Sequence, residues 1–530
     1  MIVVIVILWL DYKIILINNN MTLFTNNDIE ILNDKIDTII DTIEEKKLEI
    51  LEPTKKTLST VNDIVLKFIK DNKRKIYGGY AQNKLIMTKN KDDAFYKSTD
   101  VPDIDFYSPE PIIDLVKLCD IIYKEGFKHV EGKEASHKET YSIFVDFTNV
   151  CDISYVPRNI YHRIPFIEVN GINYTHPSFM IIDLLRILTE PYFSSFRWKK
   201  IFPRLITLEK YYPFSKSKDN LPSLIKIPSD IKDNILKILE TTNKFIKNNN
   251  TIIIIGDYVY NYYLLESKIY EDKQYSKKYK LLDIFKYELI SLDYRADVEK
   301  LIEQIKLDNP DFVESLNIVE YYPFWMFNGY SVEILYKEYV VVRIINYNRR
   351  CTPYKQVNFI DFNKKPTKTK DNINIGSYDF ILLNNIINGM KARVNKLDKE
   401  YQYHNIMTSH LLEIRAYYLK KNKISFLDDS IFQQFIATCI GETMDPLREI
   451  RIIRDKKFKE GKRAIFKYEP SNENFKIPEY KFPNSSGNQI KNPHNYRIIS
   501  VGPILDQNRN REIDVKEEVV EEVPEDILEE

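Results

Sequence analysis

The fold of this chain is decided by the stretch KIYGGYAQN at residues 75–83. Apolar residues lead directly into two glycines and then into a helix-compatible run, which predicts a strand, a tight turn and a helix. The same pattern returns as IIGDYVYN at residues 254–261. Each copy follows the tetrapeptide KFIK and a polar spacer, and both copies share the frame G-x-Y-x-x-N. Internal similarity at this distance predicts two copies of one domain.

The helices and strands predicted around the two copies follow the same order. An amphipathic helix is predicted before each of them, because apolar residues recur at helical spacing from Ile29 to Ile43 and from Ile231 to Phe245. Downstream, each copy is predicted to continue with a strand, a helix, a pair of strands and an apolar helix. The predicted ranges are Asp103–Tyr107, Ile112–Tyr123, Tyr141–Phe147, Val150–Val156 and Phe179–Leu188 in the first copy, and Leu289–Asp293, Val298–Ile305, Ser331–Tyr336, Tyr339–Ile345 and Tyr378–Met390 in the second. This is a mixed α/β architecture.

Three aspartates stand in apolar runs of the first copy. Asp103 and Asp105 lie in VPDIDF, and Asp152 lies in VCDISY. Side chains two residues apart on a strand share a face, and two adjacent carboxylates need a compensating cation. Such ligands suit Mg²⁺ or Mn²⁺, and a third carboxylate from a neighbouring strand would complete a site for two ions acting at phosphorus. Asp146 is an alternative to Asp152, although it adjoins a Thr-Asn turn that it could serve.

The second copy differs at the acidic positions. Aligning the strand–helix units places Leu289 and Ser291 opposite the two neighbouring aspartates, and aligning the strand pairs places Val341 near the third. By this alignment the second copy lacks all three acids, so we expect an active copy followed by a degenerate one that serves as scaffold. The alternative is an active second copy with shifted acids, for example Asp293 and Asp297.

The Gly-Gly turn, the D-x-D strand and a third acid on a following strand resemble the nucleotidyltransferases of the polymerase-β type. Together with a degenerate second copy, they are similar to the catalytic subunit of the poxvirus poly(A) polymerase and its giant-virus relatives. The motifs RWKK at residues 197–200 and LEKYYP at residues 208–213 add to this likeness, which runs from about residue 30 to about residue 460. One departure is Tyr80, where the family often has Ser or Thr.

The resemblance implies a template-independent poly(A) polymerase that transfers AMP from ATP to the 3′ end of viral mRNA. It implies that Asp103, Asp105 and Asp152 are the catalytic residues and hold two Mg²⁺ or Mn²⁺ ions. Gly78 and Gly79 would bind ATP, because the backbone can approach the phosphates where no Cβ intervenes. The implied partners are single-stranded RNA and ATP, with a homodimer or a processivity subunit as further options. The implied location is the virion or the cytoplasm of an infected cell.

Other functions stay open at this stage. The acids do not distinguish ATP from other nucleotides, so a uridylyl- or CCA-adding transferase is one alternative, and a non-catalytic RNA-binding scaffold with the same fold is another. Basic residues on the helix predicted after the first copy could contact phosphate or primer, or form a solvated face. They are Arg197, Lys199, Lys200 and Arg204. The Tyr-rich run at residues 258–263 could stack bases or form a buried aromatic face.

The length of 530 residues exceeds what one hydrophobic core usually supports. The predicted segments are an apolar extension at 1–20, an N-terminal helical region at 21–75, a catalytic domain at 76–215, a degenerate copy at 216–395, a C-terminal helical region at 396–468 and a poorly ordered acidic tail at 469–530. The apolar run Ile2–Leu10 is too short to span a bilayer, so a membrane partner is not expected.

Charge and cysteine content bound the remaining possibilities. The formal net charge is zero, but residues 512–530 hold ten acids and one lysine, so the rest of the chain carries a charge of +9. A basic body is compatible with a polyanionic partner, and equally with an ordinary surface that carries a solvated tail. The four cysteines include no CxxC pair, which predicts neither a disulfide framework nor a zinc site and fits a reducing compartment.

Overall fold

Two mixed β-sheets with helices packed against them make up the fold. The computed structural model describes residues 23–97, 100–136, 139–224, 226–347, 351–364, 366–442, 444–461, 465–472, 475 and 496–500. The helices are α1 (Asn26–Ile50), α2 (Lys55–Asp71), α3 (Gly78–Met87), α4 (Pro111–Lys124), α5 (Arg158–Tyr161), α6 (Pro177–Leu188), α7 (Pro191–Ser194), α8 (Trp198–Tyr211), α9 (Ser229–Lys247), α10 (Asp257–Ser267), α11 (Tyr294–Asp308), α12 (Tyr378–Val394), α13 (Asp398–Asn422) and α14 (Pro446–Lys459).

The strands alternate with these helices along the chain. They are β1 (Lys75–Tyr77), β2 (Ile104–Ser108), β3 (Val130–Glu134), β4 (Thr140–Val145), β5 (Thr148–Tyr155), β6 (Phe166–Val169), β7 (Ile172–Thr175), β8 (Ile253–Ile255), β9 (Tyr287–Ser291), β10 (Leu316–Tyr321), β11 (Ser331–Tyr336), β12 (Tyr339–Asn346), β13 (Thr352–Ile360), β14 (Lys368–Gly376), β15 (Cys439–Ile440), β16 (Lys467–Tyr468) and β17 (Tyr496–Ser500).

The two sheets repeat the same topology. The first has the strand order β16-β3-β4-β5-β2-β1-β7-β6, and the second has the order β15-β13-β14-β8-β9-β12-β11-β10-β17. Read from opposite ends, seven consecutive strands correspond one to one, from β3 with β10 to β6 with β13. The pairing directions also agree: β2 and β5 are parallel, as are β9 and β12, whereas β1–β2 and β8–β9 are antiparallel. The duplication predicted from the sequence is therefore confirmed.

The shared frame G-x-Y-x-x-N has a structural reason in both copies. The glycines Gly78 and Gly256 both have φ +71°, the left-handed region that favours glycine. The amide oxygen of Asn83 accepts the backbone N–H of Phe95 at 2.8 Å, and that of Asn261 accepts the N–H of Leu282 at 2.8 Å. Each asparagine thus holds the loop that leads into the strand beside the glycine turn.

An aromatic cluster at one end of the first sheet includes a residue from the second copy. Tyr77 stacks on Tyr107 with ring centroids 3.9 Å apart. The Tyr107 ring meets Phe179 of α6 and Trp325 of the β10–β11 loop, both edge-on. Arg186 of α6 also donates to the Met326 carbonyl at 3.3 Å. A loop of the second copy therefore packs into the apolar core of the first.

The chain divides into two compact units. Residues 23–61, with Asp100 and Val101, form one unit, which holds α1 and the start of α2. The other unit starts at Asn62 and holds both sheets. Among the described residues, no helix is both long and apolar enough to cross a bilayer.

The ends of the chain differ from the sequence expectations or lie outside the described part. The apolar extension at 1–20 and most of the predicted acidic tail at 469–530 lie outside the described residues, although residues 496–500 form β17 on β10. The region 396–468 contains the expected helices but also β15 and β16, which join the edges of the second and the first sheet.

One disulfide was not predicted. Within the described residues, Cys351 at the start of β13 is bonded to Cys439 of β15, with Cα atoms 5.5 Å apart. The two cysteines are 88 residues apart in sequence, so their spacing could not reveal the pairing. Cys119 and Cys151 are free and buried.

Candidate active site

Three neighbouring strands bring the predicted aspartates together. The sheet register pairs Asp105 of β2 with Tyr77 of β1 on one side and with Asp152 of β5 on the other. Asp103 directly precedes β2, and one carboxylate oxygen from each of the three aspartates lies within 4.8 Å of the others. Asp146 instead lies in the β4–β5 turn with φ +47°. The structure thus groups Asp152, and not Asp146, with the D-x-D pair.

The positive charge near this carboxylate cluster is too small to offset the negative charge of the three aspartates. Burial, followed by repulsion from Asp103 and Asp152, raises the pKa of Asp105 well above its ordinary value. Burial and the Asp152 carboxylate also raise the pKa of Asp103. Arg197 and Lys200 oppose the shift at Asp105 without offsetting it. Carboxylates held close together with raised pKa values form a donor set that fits hard divalent cations.

Glycine is required next to the cluster for steric reasons. A Cβ built on Gly78 would lie 2.2 Å from the Oδ2 atom of Asp105, so any other residue would displace that carboxylate. A Cβ on Gly79 would lie 2.4 Å from the Tyr96 hydroxyl and 2.9 Å from a guanidinium nitrogen of Arg204. The sequence predicted that these glycines admit phosphates; the structure adds that Gly78 makes room for the acid itself.

Two side chains that sequence reasoning missed hold Asp152 in place. The Ser142 hydroxyl donates to Asp152 Oδ1 at 2.6 Å, and the Asn149 amide donates to the same oxygen at 3.1 Å. Ser142 is buried and lies opposite Asp152 in the β4–β5 register. Because one oxygen is fixed by two donors, the other is oriented for a ligand. Only the β4–β5 register could have identified Ser142, because no local motif links it to Asp152.

We expect Ser142→Ala to weaken divalent-ion binding about 10- to 100-fold, since outer groups of this kind orient metal ligands. Titration of the purified protein with Mn²⁺, followed by electron paramagnetic resonance, measures this directly. Ser108→Ala is the matched control, because the Ser108 hydroxyl donates to Asp114 of α4 at 2.5 Å, away from the cluster. Wild-type affinity in Ser142→Ala would show that the hydrogen bond does not position Asp152.

Three of the four basic residues predicted on the helix after the first copy lie on the side that faces the acid cluster. Arg197, Lys200 and Arg204 are spaced three and four residues apart, so they share one side of the helical segment that α8 continues. Lys200 and Arg204 act on the charge of Asp103, and Arg197 and Lys200 act on that of Asp105. The Arg204 guanidinium also lies 4.2 Å from the centre of the Phe95 ring. These three cations therefore border the acid cluster.

The second copy keeps the frame of this site but not its chemistry. A Cβ on Gly256 would lie 2.1 Å from Glu288 Oε2, as one on Gly78 would from Asp105. The register of β8 with β9 pairs Ile255 with Glu288, which matches the Tyr77 pair of the first copy. Glu288 therefore occupies the position of Asp105.

Cations occupy the positions of the other two acids. Glu288 pairs with Arg343 in the parallel β9–β12 register, so Arg343 stands where Asp152 stands in the first copy. Lys286, two residues before Glu288, matches Asp103. Arg343 donates to Glu288 at 2.8 Å and to Glu333 at 2.7 Å, and Lys286 lies 3.4 Å from Glu288. Built-in positive charge thus replaces what a metal ion would supply.

The sequence alignment of the two copies was therefore wrong by three residues at the D-x-D strand and by two at the third acid. The counterparts are not Leu289, Ser291 and Val341, and the second copy retains one carboxylate. The shifted acids proposed as an alternative have structural roles instead. Asp293 caps α11 by accepting the N–H of Ala296, and Asp297 accepts the hydroxyl proton of Ser291 at 2.6 Å.

The Tyr-rich run of the second copy is part of a hydrophobic core. The rings of Tyr258, Tyr260, Tyr262 and Tyr263 on α10 are all buried. The Tyr258 hydroxyl, also buried, accepts the backbone N–H of Ile360 at 3.0 Å. The alternative of a buried aromatic face is confirmed, and base stacking by this run is wrong.

A glycine turn between strand and helix, a D-x-D on the adjacent strand and a third aspartate on the next parallel strand define a nucleotidyltransferase of the polymerase-β type. The family model of the poly(A) polymerase catalytic subunit matches residues 63–194, and the model of the C-terminal part of the mimivirus (APMV) catalytic subunit matches residues 207–499. The chain belongs to the poly(A) polymerase catalytic subunit family, and it is a polynucleotide adenylyltransferase. The family, fold class and enzyme class predicted from the sequence are confirmed.

Two of the similar proteins match nearly the whole chain, and a third matches about a quarter of it. A protein of Acanthamoeba polyphaga mimivirus named as a poly(A) polymerase catalytic subunit is 34% identical over 518 residues, which cover 94% of this chain and 88% of that protein. The crystal structure of the Megavirus polyadenylate synthase is similar with a TM-score of 0.79 and 35% identity, covering 90% of this chain and 94% of that one. The catalytic subunit named in African swine fever virus matches over 159 residues at 33% identity, which cover 28% of this chain and 33% of that protein.

Proposed function

We propose that Asp103, Asp105 and Asp152 hold two divalent ions, Mg²⁺ or Mn²⁺, and that the chain uses them to add AMP from ATP to an RNA 3′ end. The observation that carries this proposal is the cluster of three carboxylates within 4.8 Å, whereas in the second copy cations occupy two of the three equivalent positions. Bound divalent ions would supply the positive charge that stabilises the entering and leaving oxygens of an in-line displacement at phosphorus.

The residues in and around the cluster have separate proposed roles in binding the two substrates. Asp105 lies against Gly78. With Asp103 it would hold the ion that binds the ATP phosphates, and all three aspartates would hold the ion that activates the RNA 3′-hydroxyl. Gly78 and Gly79 open the backbone to the phosphates, and the start of α3 favours negative charge there. Arg204, whose guanidinium lies beside Gly79, would offset the charge of the triphosphate, which the aspartates would otherwise repel.

Substrates, partners and location follow from the family as further parts of the proposal. Single-stranded RNA and ATP are the substrates, and either a second copy of the chain or a separate processivity subunit is the partner; a native mass measurement separates these. The virion or the cytoplasm of an infected cell is the proposed location. We propose bounds of 76–215 for the catalytic domain and 216–395 for the degenerate copy, supported by β2–β7 lying in the first range and β8–β14 in the second.

A nucleotide-by-nucleotide extension assay tests the base preference. We expect the protein with Mg²⁺ or Mn²⁺ to extend a 5′-labelled RNA primer with ATP much faster than with UTP, CTP or GTP. Gel analysis of separate reactions with each nucleotide at equal concentration measures this. Equal use of all four nucleotides would contradict adenylyl specificity, and preferred use of UTP would favour the uridylyl alternative.

A further inference from the structure

Two aromatic rings stand in solvent at the entrance of α8. The Phe196 side chain is 82% exposed and that of Tyr192 is 59% exposed. They are four residues apart, Tyr192 in α7 and Phe196 in the single 3-10 turn Ser195–Arg197 that runs into α8. Exposure of a phenylalanine to this degree loses the free energy that burial would supply, so it favours a ligand that covers the ring.

Positive charge surrounds these rings. Arg197 follows Phe196 directly, and Lys199 and Lys200 follow three and four residues after it; all three are exposed. The helix α8 that this segment enters carries Arg204 to the glycine turn, where its guanidinium would lie 2.9 Å from a Cβ built on Gly79. The aromatic–basic segment, defined here as residues 192–200, therefore leads from solvent to the proposed reaction centre.

We propose that this segment binds the single-stranded 3′ region of the RNA, with Phe196 and Tyr192 stacking on bases and the neighbouring cations contacting phosphates. Aromatic rings between lysines and arginines are the general means of holding single-stranded nucleic acid without reading its sequence. A poly(A) tail presents identical flat bases and one phosphate per nucleotide, and the segment offers both kinds of contact. The inference rests on the proposed function of the acid cluster.

The segment suits RNA better than ATP. The ATP phosphates are assigned to the glycine turn, where Arg204 and Tyr96 approach Gly79. Arg204 lies seven residues beyond Arg197, which on an α-helix is about 10 Å along the axis. A single nucleotide also has one base, whereas the segment presents two rings and several outward cations. A multi-nucleotide strand uses all of them.

Binding and extension measured on the same variants test this proposal. For Phe196→Ala we expect the Kd of a fluorescein-labelled oligo(A) and the KM for RNA to rise roughly 5- to 100-fold, the cost of one lost base stack. The KM for ATP and the kcat at saturating RNA should stay at wild-type values. Phe196→Trp should restore binding, whereas Phe196→Leu should not, because a leucine contributes apolar area but no stacking face.

The salt dependence of RNA binding distinguishes the phosphate contacts from base stacking. For Lys199→Ala we expect the slope of log Kd against log salt to fall by about 0.7, the value for one phosphate contact on a single strand. Phe196→Ala should leave that slope unchanged. Phe147→Ala is the matched control, since Phe147 is 83% exposed and has no Lys or Arg within three residues in sequence.

Failure of the proposed function and failure of the proposed RNA-binding segment would give different results. A wild-type protein that neither binds nor extends the oligonucleotide would overturn the proposed function itself. A wild-type protein that extends RNA, with Phe196→Ala equal to Phe147→Ala in Kd and KM for RNA, would overturn only the aromatic–basic segment. A raised KM for ATP with an unchanged KM for RNA, or full binding by Phe196→Leu, would also overturn it, in favour of the ATP base or of an apolar protein partner.

Discussion

Asp105→Asn is expected to lower the kcat for AMP transfer at least about 1,000-fold, because stabilisation of the reacting oxygens by bound cations contributes several kcal/mol. The same change should raise the unfolding temperature of the metal-free protein. Asp105 is half-buried beside two other carboxylates, and removal of its charge relieves both desolvation and repulsion. Single-turnover extension of a labelled primer and thermal unfolding with and without Mn²⁺ measure the two effects.

The second copy provides a matched control at the same position of the sheet. Glu288→Gln should leave kcat near the wild-type value, because Glu288 lies in a cluster whose cations belong to the chain. Its effect on stability should have the opposite sign, since Arg343 loses a partner. An Asp105→Asn variant with wild-type kcat, or one less stable than metal-free wild type, would refute the assignment of Asp105.

Arg343→Met is expected to lower the free energy of unfolding of the second copy by about 3–5 kcal/mol, the usual cost of removing one partner from a buried ion pair. Arg343 bridges Glu288 and Glu333, whose side chains are only 9% and 6% exposed. Without the guanidinium, both carboxylates are buried without adequate compensation. Urea unfolding followed by tryptophan fluorescence and circular dichroism measures the loss.

The pH dependence of this loss has a defined sign. Although burial acts in the other direction, Lys286 and Arg343 lower the pKa of Glu288. A lowered carboxylate pKa contributes stability that is complete above the ordinary glutamate value of about 4.3 and is lost as the pH falls below it. The difference between wild type and Arg343→Met should therefore shrink on acidification.

A surface ion pair serves as the control for charge removal. Lys364 pairs with Glu240 at 2.8 Å, and both side chains are more than half exposed. Lys364→Met should change stability little, because water and salt screen such pairs. Equal losses in Lys364→Met and Arg343→Met would mean that the buried cluster contributes nothing beyond an ordinary surface pair.

Local patterns were sufficient to predict the duplication, the glycine turn and the three aspartates. Each depends on residues near one another in sequence: glycine where φ is positive, and acids two apart on a strand. The predicted strand pairs and helices of both copies match the structure closely, for example Ser331–Tyr336 as β11.

The misplaced strand of the second copy shows where such patterns fail. The strand was expected at Leu289–Asp293, a range that leaves out the charged residue Glu288. In the structure β9 spans Tyr287–Ser291, and Glu288 is tolerated inside it because Arg343, 55 residues later, supplies the opposite charge. Partners this distant are set by sheet register, which one sequence does not encode locally.

The short strand β16 affects how the protein is made. It completes the outer edge of the first sheet by pairing Lys467 with Lys133, although the whole second sheet up to β15 is encoded between them. During synthesis, the edge of the first sheet emerges from the ribosome without its neighbour, and an open edge is prone to pair with other chains. The catalytic half, although translated first, thus stays incomplete until most of the second sheet has been made, and among the described strands of the second sheet only β17 is translated later.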